Sequence, residues 1–512
     1  MSNNKKIEEK KDDIFEYSEE QKTLDRITFR HIEAADEKEN ALFQERKRTY
    51  VSDIERGDYD IVDKVNYTYS TDVGLSEEVI RKISARKNEP QWMLDLRLKS
   101  LEIYNKTPMP TWGADLSDLD VNDIIHYIEP DAKYMAESWD EVPEEIKSTF
   151  ERLGIPEAEQ KSLAGVGAQY DSMMVYHSLQ KELSDLGVVY TNIDDAITEY
   201  EDIVKEHFMK IIPPSYHKFA ALHGAVWSGG SFVYIPKGVK VEMPLQSYFR
   251  LNASQAGQFE HTLIIVDEGA ELHFIEGCSA PKYYKNALHA GAVELYVKKG
   301  SKLRYSTIEN WSRNLYNLNT KVALVEEDGK MEWISGSFGS RVSMLYPASI
   351  LKGDRATSEF TGITFAGEGQ CLDTGAKNIH IGKDTKSEVK SKSIAKGGGE
   401  ANYRSLLKIG PNATGAKAYA LCDSLMLDDL SRCDTIPFLE VENDDVDIGH
   451  EAKIGRISDE MIFYLMQRGI DENEAKSMII KGYIDPVSKE LPLEYAVELN
   501  QLITLELEGT IG

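Results

Sequence analysis

The sequence predicts an α+β protein: a parallel β-helix core over residues 214–450, an N-terminal helical and connecting region over residues 1–213, and a small C-terminal helical domain over residues 451–512. Three observations predict it. Apolar residues recur at three- and four-residue intervals in the first third and again after residue 450, the spacing of helices that bury one face. Between these regions the texture changes to short β-branched and aromatic runs separated by glycine. In that middle section four turns resemble one another: PKGVKVE around Gly238, DEGAELH around Gly269, KKGSKLR around Gly300 and EDGKMEW around Gly329. Their glycines stand 31, 31 and 29 residues apart.

In the N-terminal region, helices are expected over Ser76–Asn88 and Glu89–Tyr104, the second with Trp92, Leu94, Leu96, Leu98, Leu101 and Ile103 on its apolar side. Helical character is expected to continue through Ser172–Leu186 and Ile193–Met209, until Pro213-Pro214 breaks it. Strands follow at SFVYIP (Ser231–Pro236), HTLIIV (His261–Val266) and VELYV (Val293–Val297). A constant turn period is what stacked coils require, because each coil must turn where its neighbour does. Gly353 and Gly382 keep a looser version of the spacing. A large β-sandwich is the rival, since turn spacing alone does not separate the two. At the C-terminal end, Ser458 is placed to cap a helix ending at Gly469, and Asp471 a second ending at Gly482. A third helix is expected over Leu493–Leu507. These helices would either cap the solenoid or present a groove to a partner.

The 512 residues are too many for one ordinary core, and 41% apolar with 29% charged residues is the balance of a folded soluble chain. A formal charge of −28 opposes binding to nucleic acid or to an anionic membrane. Met1–Asp13 carries no apolar leader, and no stretch approaches eighteen uninterrupted apolar residues, so a cytoplasmic location is expected. The four cysteines, Cys278, Cys371, Cys422 and Cys433, are widely spaced and contain no C-x-x-C pair. They form neither a disulfide framework nor a zinc ribbon.

Cys278 sits in FIEGCSAP after the strand-like ELHFIEG, and a glycine-flanked thiol at a strand end is a candidate for partial exposure and for accepting sulfur. Glu276 would raise its pKa, and a lone cysteine is as a rule an inert buried residue. Cys422 and Cys433 each precede an aspartate, and His450-Glu451 follows an acidic run, which together make a ligand set that iron tolerates. A solvated acidic loop is the ordinary alternative. The sequence has no G-x-x-x-x-G-K-[ST], no G-x-G-x-x-G opening a helix, no G-x-S-x-G and no H-E-x-x-H, so nothing marks a conventional enzyme. A carbohydrate-active β-helix enzyme, which would need paired carboxylates on a groove, is a competing reading.

FIEGCSAP, NIHIGKDTKSEVKSKSI (Asn378–Ile394), YRSLLKIGPNA (Tyr403–Ala413), CDSLML, HEAKIGRISDEMIFYLMQRGI (His450–Ile470) and LPLEYAVELNQLI (Leu491–Ile503) closely resemble the SufB/SufD family of the Suf iron–sulfur cluster assembly system. The likeness runs from about residue 60 to the C-terminus. It implies a right-handed parallel β-helix and a scaffold, not an enzyme, on which an iron–sulfur cluster is transiently assembled. ATP hydrolysis would belong to a partner, the SufC ATPase, docked on the C-terminal helices. SufD or a second SufB would be the sister subunit, and the sulfur donor a desulfurase relay of SufE or SufU type. The resemblance leaves open a part for reduced flavin. It places sulfur acceptance on Cys278, a sulfur-transfer route on Arg250, Asn252, Trp311 and Lys321, and cluster ligation on Cys422, Glu451 and His450. Two positions depart from the family pattern: Glu309 stands where glutamine is expected, and Gly449 where an acidic residue is. A purely structural sister subunit of SufD type is the alternative within the family.

Overall fold

The computed structural model describes residues 62–488 apart from 154 and 282–285. Its centre is a parallel β-solenoid of about eight turns. One wall is a single sheet in which Leu245–Arg250, Glu271–Ser279, Lys302–Trp311, Lys330–Gly339, Thr357–Ala366, Lys386–Ala395, Ala416–Met426 and Val446–Arg456 pair in parallel, in chain order. The opposite wall begins as two stacks of short strands. Gly257–Gln258, Ala287–His289, Leu315–Asn317 and Val342–Leu345 form one, and Ser231–Ile235, His261–Val266, Ala292–Val297, Thr320–Val325 and Ala348–Leu351 the other. Both merge onto Cys371–His380, which pairs with the two stacks along its two halves. Parallel pairing throughout the coils excludes the sandwich.

The expected corner is present, and its glycines do more than one thing. Gly238, Gly269 and Gly300 have φ of 74°, 67° and 66°, in the left-handed region where a side chain is strained. At the next three corners that conformation falls on Asp328, Arg355 and Asp384, and it returns to glycine at Gly415. Each of these residues donates its N–H to a carbonyl of the following turn, Gly269 to Lys299 at 3.0 Å and Asp384 to Thr414 at 2.8 Å, so the corners form their own ladder. Gly382 has a different role: a Cβ there would run into the backbone carbonyl of Gly353 one turn above.

Along the long sheet, alternate residues point into the solenoid. Leu272, Phe274, Leu303, Tyr305, Met331, Trp333 and Phe360 fill one half of the interior together with Val293, Leu295 and Ala323 from the opposite wall. The outward residues Ile275, Ile308, Ile334, Ile363 and Ile394 form a ridge that the flanking helices cover, Ile146 and Phe150 at one end and Ile480 and Ile484 at the other.

Helices Glu77–Arg86 and Gln91–Lys106 occupy the expected places, and Ser76 caps the first by accepting from Val79 N at 3.2 Å. The second buries Arg97 and Ser100 beside Met93 and Leu96, because Arg97 pairs with Glu89 and donates to the carbonyls of Ala225 and Trp227. The expected helix over Ser172–Leu186 is corrected. Met173–Leu179 is a strand antiparallel to Gly165–Tyr170, and only Lys181–Asp185 is helical. Gly165–Tyr170 pairs in parallel with Leu245–Arg250, so the long sheet begins upstream of Pro213-Pro214. Ile193–Met209 forms two short helices, Ile193–Glu199 and Glu201–His207.

Ser458 caps Asp459–Met466 as expected. The next helix is also corrected: it runs Glu472–Ser488, through Gly482, since packing of Ile480 and Ile484 on the ridge outweighs the glycine. The expected Leu493–Leu507 helix lies outside the described residues. Glu472–Ser488 packs on the flank, with Lys392 Nζ donating to Tyr483 O at 2.8 Å, whereas Asp459–Met466 leaves Met461, Phe463, Tyr464 and Met466 exposed.

Candidate functional site

The second half of the interior is polar, and register defines it. Reading along the stacked strands, one inward column runs Glu276, Thr307, Ser335, Gly362, Ser391, Cys422. The neighbouring column runs Cys278, Glu309, Ser337, Thr364, Ser393, Ser424. Cys278 and Cys422 therefore face the same lumen, five strand steps or about 24 Å apart. The intervening columns carry hydroxyls, glycine and Glu309. Two small cavities lie between the cysteines, each with room for little more than one water molecule. The first is bounded by Thr307, Glu309, Asn319 and Lys321, the second by Ser337, Gly362, Thr364 and Ser391, and both touch Ser335, Leu345 and Pro347.

Cys278 is not at a free strand end. It lies within Glu271–Ser279, is 1% exposed, and packs among Phe249, Trp311 and Leu315. The expectation of partial exposure is corrected, because an even-numbered residue of this strand points inward. Burial pushes the thiol well above its ordinary value, and the carboxylates of Glu276, Glu260 and Glu309 add to this while Lys321 opposes it. The cation that opposes this was invisible in local sequence, since Lys321 comes from the opposite wall. Its ammonium contacts Glu276 Oε1 at 2.8 Å, Thr307 Oγ1 at 3.1 Å and Glu309 Oε1 at 3.4 Å. Burial works against the Lys321 charge, yet Glu276 and Glu309 hold its pKa above the usual value. Tyr305 donates its hydroxyl to Glu276 Oε2. Trp311 closes the chamber, with His289 tilted over its ring at 4.5 Å.

Arg250 and Asn252 do not share this chamber with Lys321. Arg250 stands opposite Ser279 in register, on the outward side, and its Nη1 donates to Ser279 Oγ at 3.2 Å. Asn252 holds the segment that begins at Asp63: its Oδ1 accepts from Asp63 N at 2.9 Å and its Nδ2 donates to Asp63 O at 3.1 Å. Asp171 accepts from the N–H groups of Asn252 and Ala253 at 2.7 and 2.9 Å and from Tyr67 Oη at 3.1 Å. The structure thus brings Cys278, Trp311, Lys321 and Glu309 together and puts Arg250 and Asn252 on the other side of the same strands.

At the far end, Cys422 is 1% exposed, and burial pushes its thiol up to about 12. Its Sγ lies 3.6 Å from His450 Nε2. His450 belongs to the last strand, Val446–Arg456, which pairs on one edge only among the described residues and is solvent-exposed along most of its length. Glu451 is one residue on and so faces outward, where it binds Lys453 at 3.0 Å and accepts from Tyr419 Oη at 3.1 Å. These contacts hold its carboxyl below the ordinary range. Gly449 pairs with Tyr419, whose ring would meet any side chain placed there. Among the described residues no group of three or more His, Cys, Asp or Glu side chains is placed to hold a metal ion.

The other cysteines lie elsewhere. Cys433 is buried beside Leu372 and Ala401. Cys371 lines a broad groove of about 1020 Å³ between the Tyr104–Asn122 stretch and the outside of the opposite wall, and its Sγ lies 3.6 Å from Glu400 Oε2. Sequence reading missed Glu260, His289, Asn317 and Thr307. The usable signal was period-2 alternation: in KLRYSTIENW the inward series begins Leu303, Tyr305 and then becomes Thr307, Glu309.

The fold and site define a class: a parallel β-solenoid whose interior joins two buried thiols at opposite ends. Comparison with known proteins makes this specific. Residues 249–483 match the family model described as SUF system FeS cluster assembly, SufBD core domain, and residues 78–247 match that of the SufBD protein N-terminal region. An iron–sulfur cluster assembly protein SufB of Bacillus subtilis (strain 168) is 53% identical over 460 residues, covering 90% of this chain and 99% of its own. An iron–sulfur cluster assembly SufBD family protein of Staphylococcus aureus (strain MRSA252) is 51% identical over 467 residues, covering 91% of this chain and 100% of its own. The chain belongs to the SufBD family of iron–sulfur cluster assembly proteins. No helix among the described residues is long and apolar enough to cross a membrane.

Proposed function

We propose that this chain is a cytoplasmic scaffold that accepts persulfide sulfur at Cys278 and builds a nascent iron–sulfur cluster at its Cys422 end, for transfer to apo-proteins. The observation that carries the reading is the shared lumen of the two cysteines, joined by columns of small polar side chains. Sulfur delivered by a SufE- or SufU-type donor forms a persulfide on Cys278. Lys321 and Trp311 line its route inward, and Arg250 and Asn252 hold the outer side of the strands that carry it. Reduction of sulfane sulfur to sulfide takes two electrons, for which reduced flavin is a suitable donor.

Cys422 with His450 provides a soft and a borderline ligand at an open end, and Glu451 is a hard ligand available once its contacts with Lys453 and Tyr419 are released. Three groups on two faces hold a cluster weakly, which suits cargo that must leave. The remaining ligands come from a sister subunit, SufD or a second SufB, paired on the open edge of Val446–Arg456. The exposed apolar side chains of Asp459–Met466 suit docking of the SufC ATPase, which supplies the nucleotide chemistry.

Purified anaerobically with its SufC partner and supplied with iron and sulfide, the chain gains cluster absorbance, and Cys422→Ala lowers the yield. Absence of any cluster on the wild-type complex would sink the proposal. The deep burial of Cys278 favours one second reading, a structural sister subunit of SufD type, for which Cys278→Ser leaves sulfur acceptance unchanged.

A further inference from the structure

The chamber around Cys278 contains a second hydrogen-bonded chain, none of whose first three members is in the sulfur route described above. Glu260 Oε1 contacts His289 Nε2, His289 Nδ1 contacts Asn317 Oδ1 at 2.7 Å, and Asn317 Nδ2 donates to Glu309 Oε2 at 2.7 Å. Glu309 Oε1 then meets Lys321, which meets Glu276. All of these side chains are buried. The chain fixes where protons are. Glu309 as a carboxylate only accepts, so the Asn317 group facing it is its amide NH₂, and the oxygen of Asn317 faces His289. His289 Nδ1 is therefore N–H, and its Nε2 faces Glu260 Oε1. A protonated His289 compensates the Glu260 carboxylate, so that the pair adds no net charge to the chamber. Burial opposes a charged His289, yet Glu260 raises its pKa above the usual value.

The pair is also built closely. Among the described residues Glu260 Oε2 has no hydrogen-bond partner, and a Cβ at Gly291 would strike Oε1, so the carboxylate is held in a cradle that admits no side chain there. His289 contacts both Glu260 and Asn317, and so compensates the one while orienting the other.

The charges facing Cys278 are Glu276 from its own strand, Glu309 and the Tyr305 hydroxyl from the next, and Glu260 and Lys321 from across the lumen. Behind His289, from helix Lys218–Val226, stands His223, which burial holds well below its ordinary pKa and therefore neutral. Its partner His261 lies 3.2 Å from Glu294, which is itself capped by the N–H groups of Ile211 and Ile212. With the His289–Glu260 pair neutral, Lys321 opposes two carboxylates. Without His289 it would oppose three.

We propose that His289, paired with Glu260, is a positioning residue for sulfur acceptance: it keeps the chamber from gaining a further negative charge and so sets how readily the Cys278 thiol ionises. The inference rests on reading Cys278 as the sulfur acceptor, but its test requires no sulfur donor. Methyl methanethiosulfonate, small and uncharged, reacts with a thiolate to form a methyl disulfide and release methanesulfinate. Below the thiol pKa its rate follows the thiolate fraction, offset in part by the greater nucleophilicity of a more basic thiolate, so each pKa unit is about three- to fourfold in rate.

With full-length protein at pH 8, peptide mass spectrometry follows Cys278, and Cys433 serves as the internal reference. His289→Gln is expected to slow Cys278 about threefold or more relative to Cys433. Glu260→Gln leaves it at or above the wild-type rate, and the double variant His289→Gln/Glu260→Gln returns it to within about twofold of wild type. A double variant as slow as His289→Gln, or an unchanged His289→Gln, overturns the proposal. Should His289→Gln fail to fold, slowing by Glu260→Gln alone overturns it equally, because removing a negative charge from the chamber cannot make the thiol harder to ionise. Sulfur acceptance failing while these shifts hold would count against the functional reading only.

Discussion

The ammonium of Lys321 lies 2.8 Å from Glu276 Oε1; both side chains are buried inside the β-solenoid, and Glu276 stands two residues along its strand from Cys278. Such a pair is costly to break, because removing one member strands the other in a low-dielectric interior. Lys321→Met is expected to destabilise the fold by about 3–5 kcal/mol, measured by urea unfolding. Lys321→Met/Glu276→Gln recovers part of that loss. Equal losses in the two variants would show that the lysine acts by packing alone.

The corner glycines give a paired test of the coil geometry. Gly269→Ala meets open space and suffers only its φ of 67°, a cost of about 1 kcal/mol. Gly382→Ala meets the backbone of the turn above and cannot be relieved by a side-chain movement. It is expected to lower the thermal midpoint clearly more than Gly269→Ala does. The reverse order would contradict the stacking described.

These two sites show what was legible in the sequence. The turn period announced a solenoid because Gly238, Gly269 and Gly300 all need the same backbone conformation at the same place in each coil. It reached the later corners through Gly329, Gly353 and Gly382 but missed that the conformation there falls on the neighbouring Asp328, Arg355 and Asp384. The Ser172–Leu186 stretch misled because its apolar spacing suits a helix, while the edge offered by Gly165–Tyr170 captures Met173–Leu179 as a strand. At the site, Cys278 stood out from its own flanking residues, whereas Trp311 and Lys321 came from family resemblance. Their contact could not be read locally, because Lys321 reaches Glu276 from the opposite wall, 45 residues away. Glu260 and His289 went unnoticed for the same reason: a buried ion pair leaves no local pattern when its members sit on different turns.

Histidines buried without charge should make the fold acid-labile. Burial lowers His126 to about 4, so folding holds it neutral while the unfolded chain binds a proton below about 6.5. The folded pKa is depressed, and the stability it supports is present above pH 6.5 and lost as pH falls towards 4. His177, His273 and His380, each lowered to about 4 by burial, act in the same direction. His126→Phe, which keeps a ring against Phe259, is expected to shrink the stability difference between pH 7 and pH 5 by about 2 kcal/mol in urea titrations. No change in that difference would contradict the assignment.

Phe463 is 61% exposed on a helix whose neighbours Met461 and Tyr464 are exposed as well. Phe463→Asp should leave the thermal midpoint within about 1 °C, since it removes no buried contact. It should weaken co-purification with the SufC ATPase at least tenfold by titration calorimetry, the scale of a lost apolar anchor. Unchanged affinity would move the docking surface elsewhere.

The most direct test of the scaffold reading is persulfide trapping on the intact chain. After anaerobic incubation with a cysteine desulfurase, its SufE- or SufU-type donor and cysteine, alkylation and peptide mass spectrometry should find a sulfane sulfur on Cys278. Cys371 and Cys433 should carry none, and Cys278→Ser should abolish the signal. Sulfane sulfur spread over all four cysteines, or on none of them, would contradict the account.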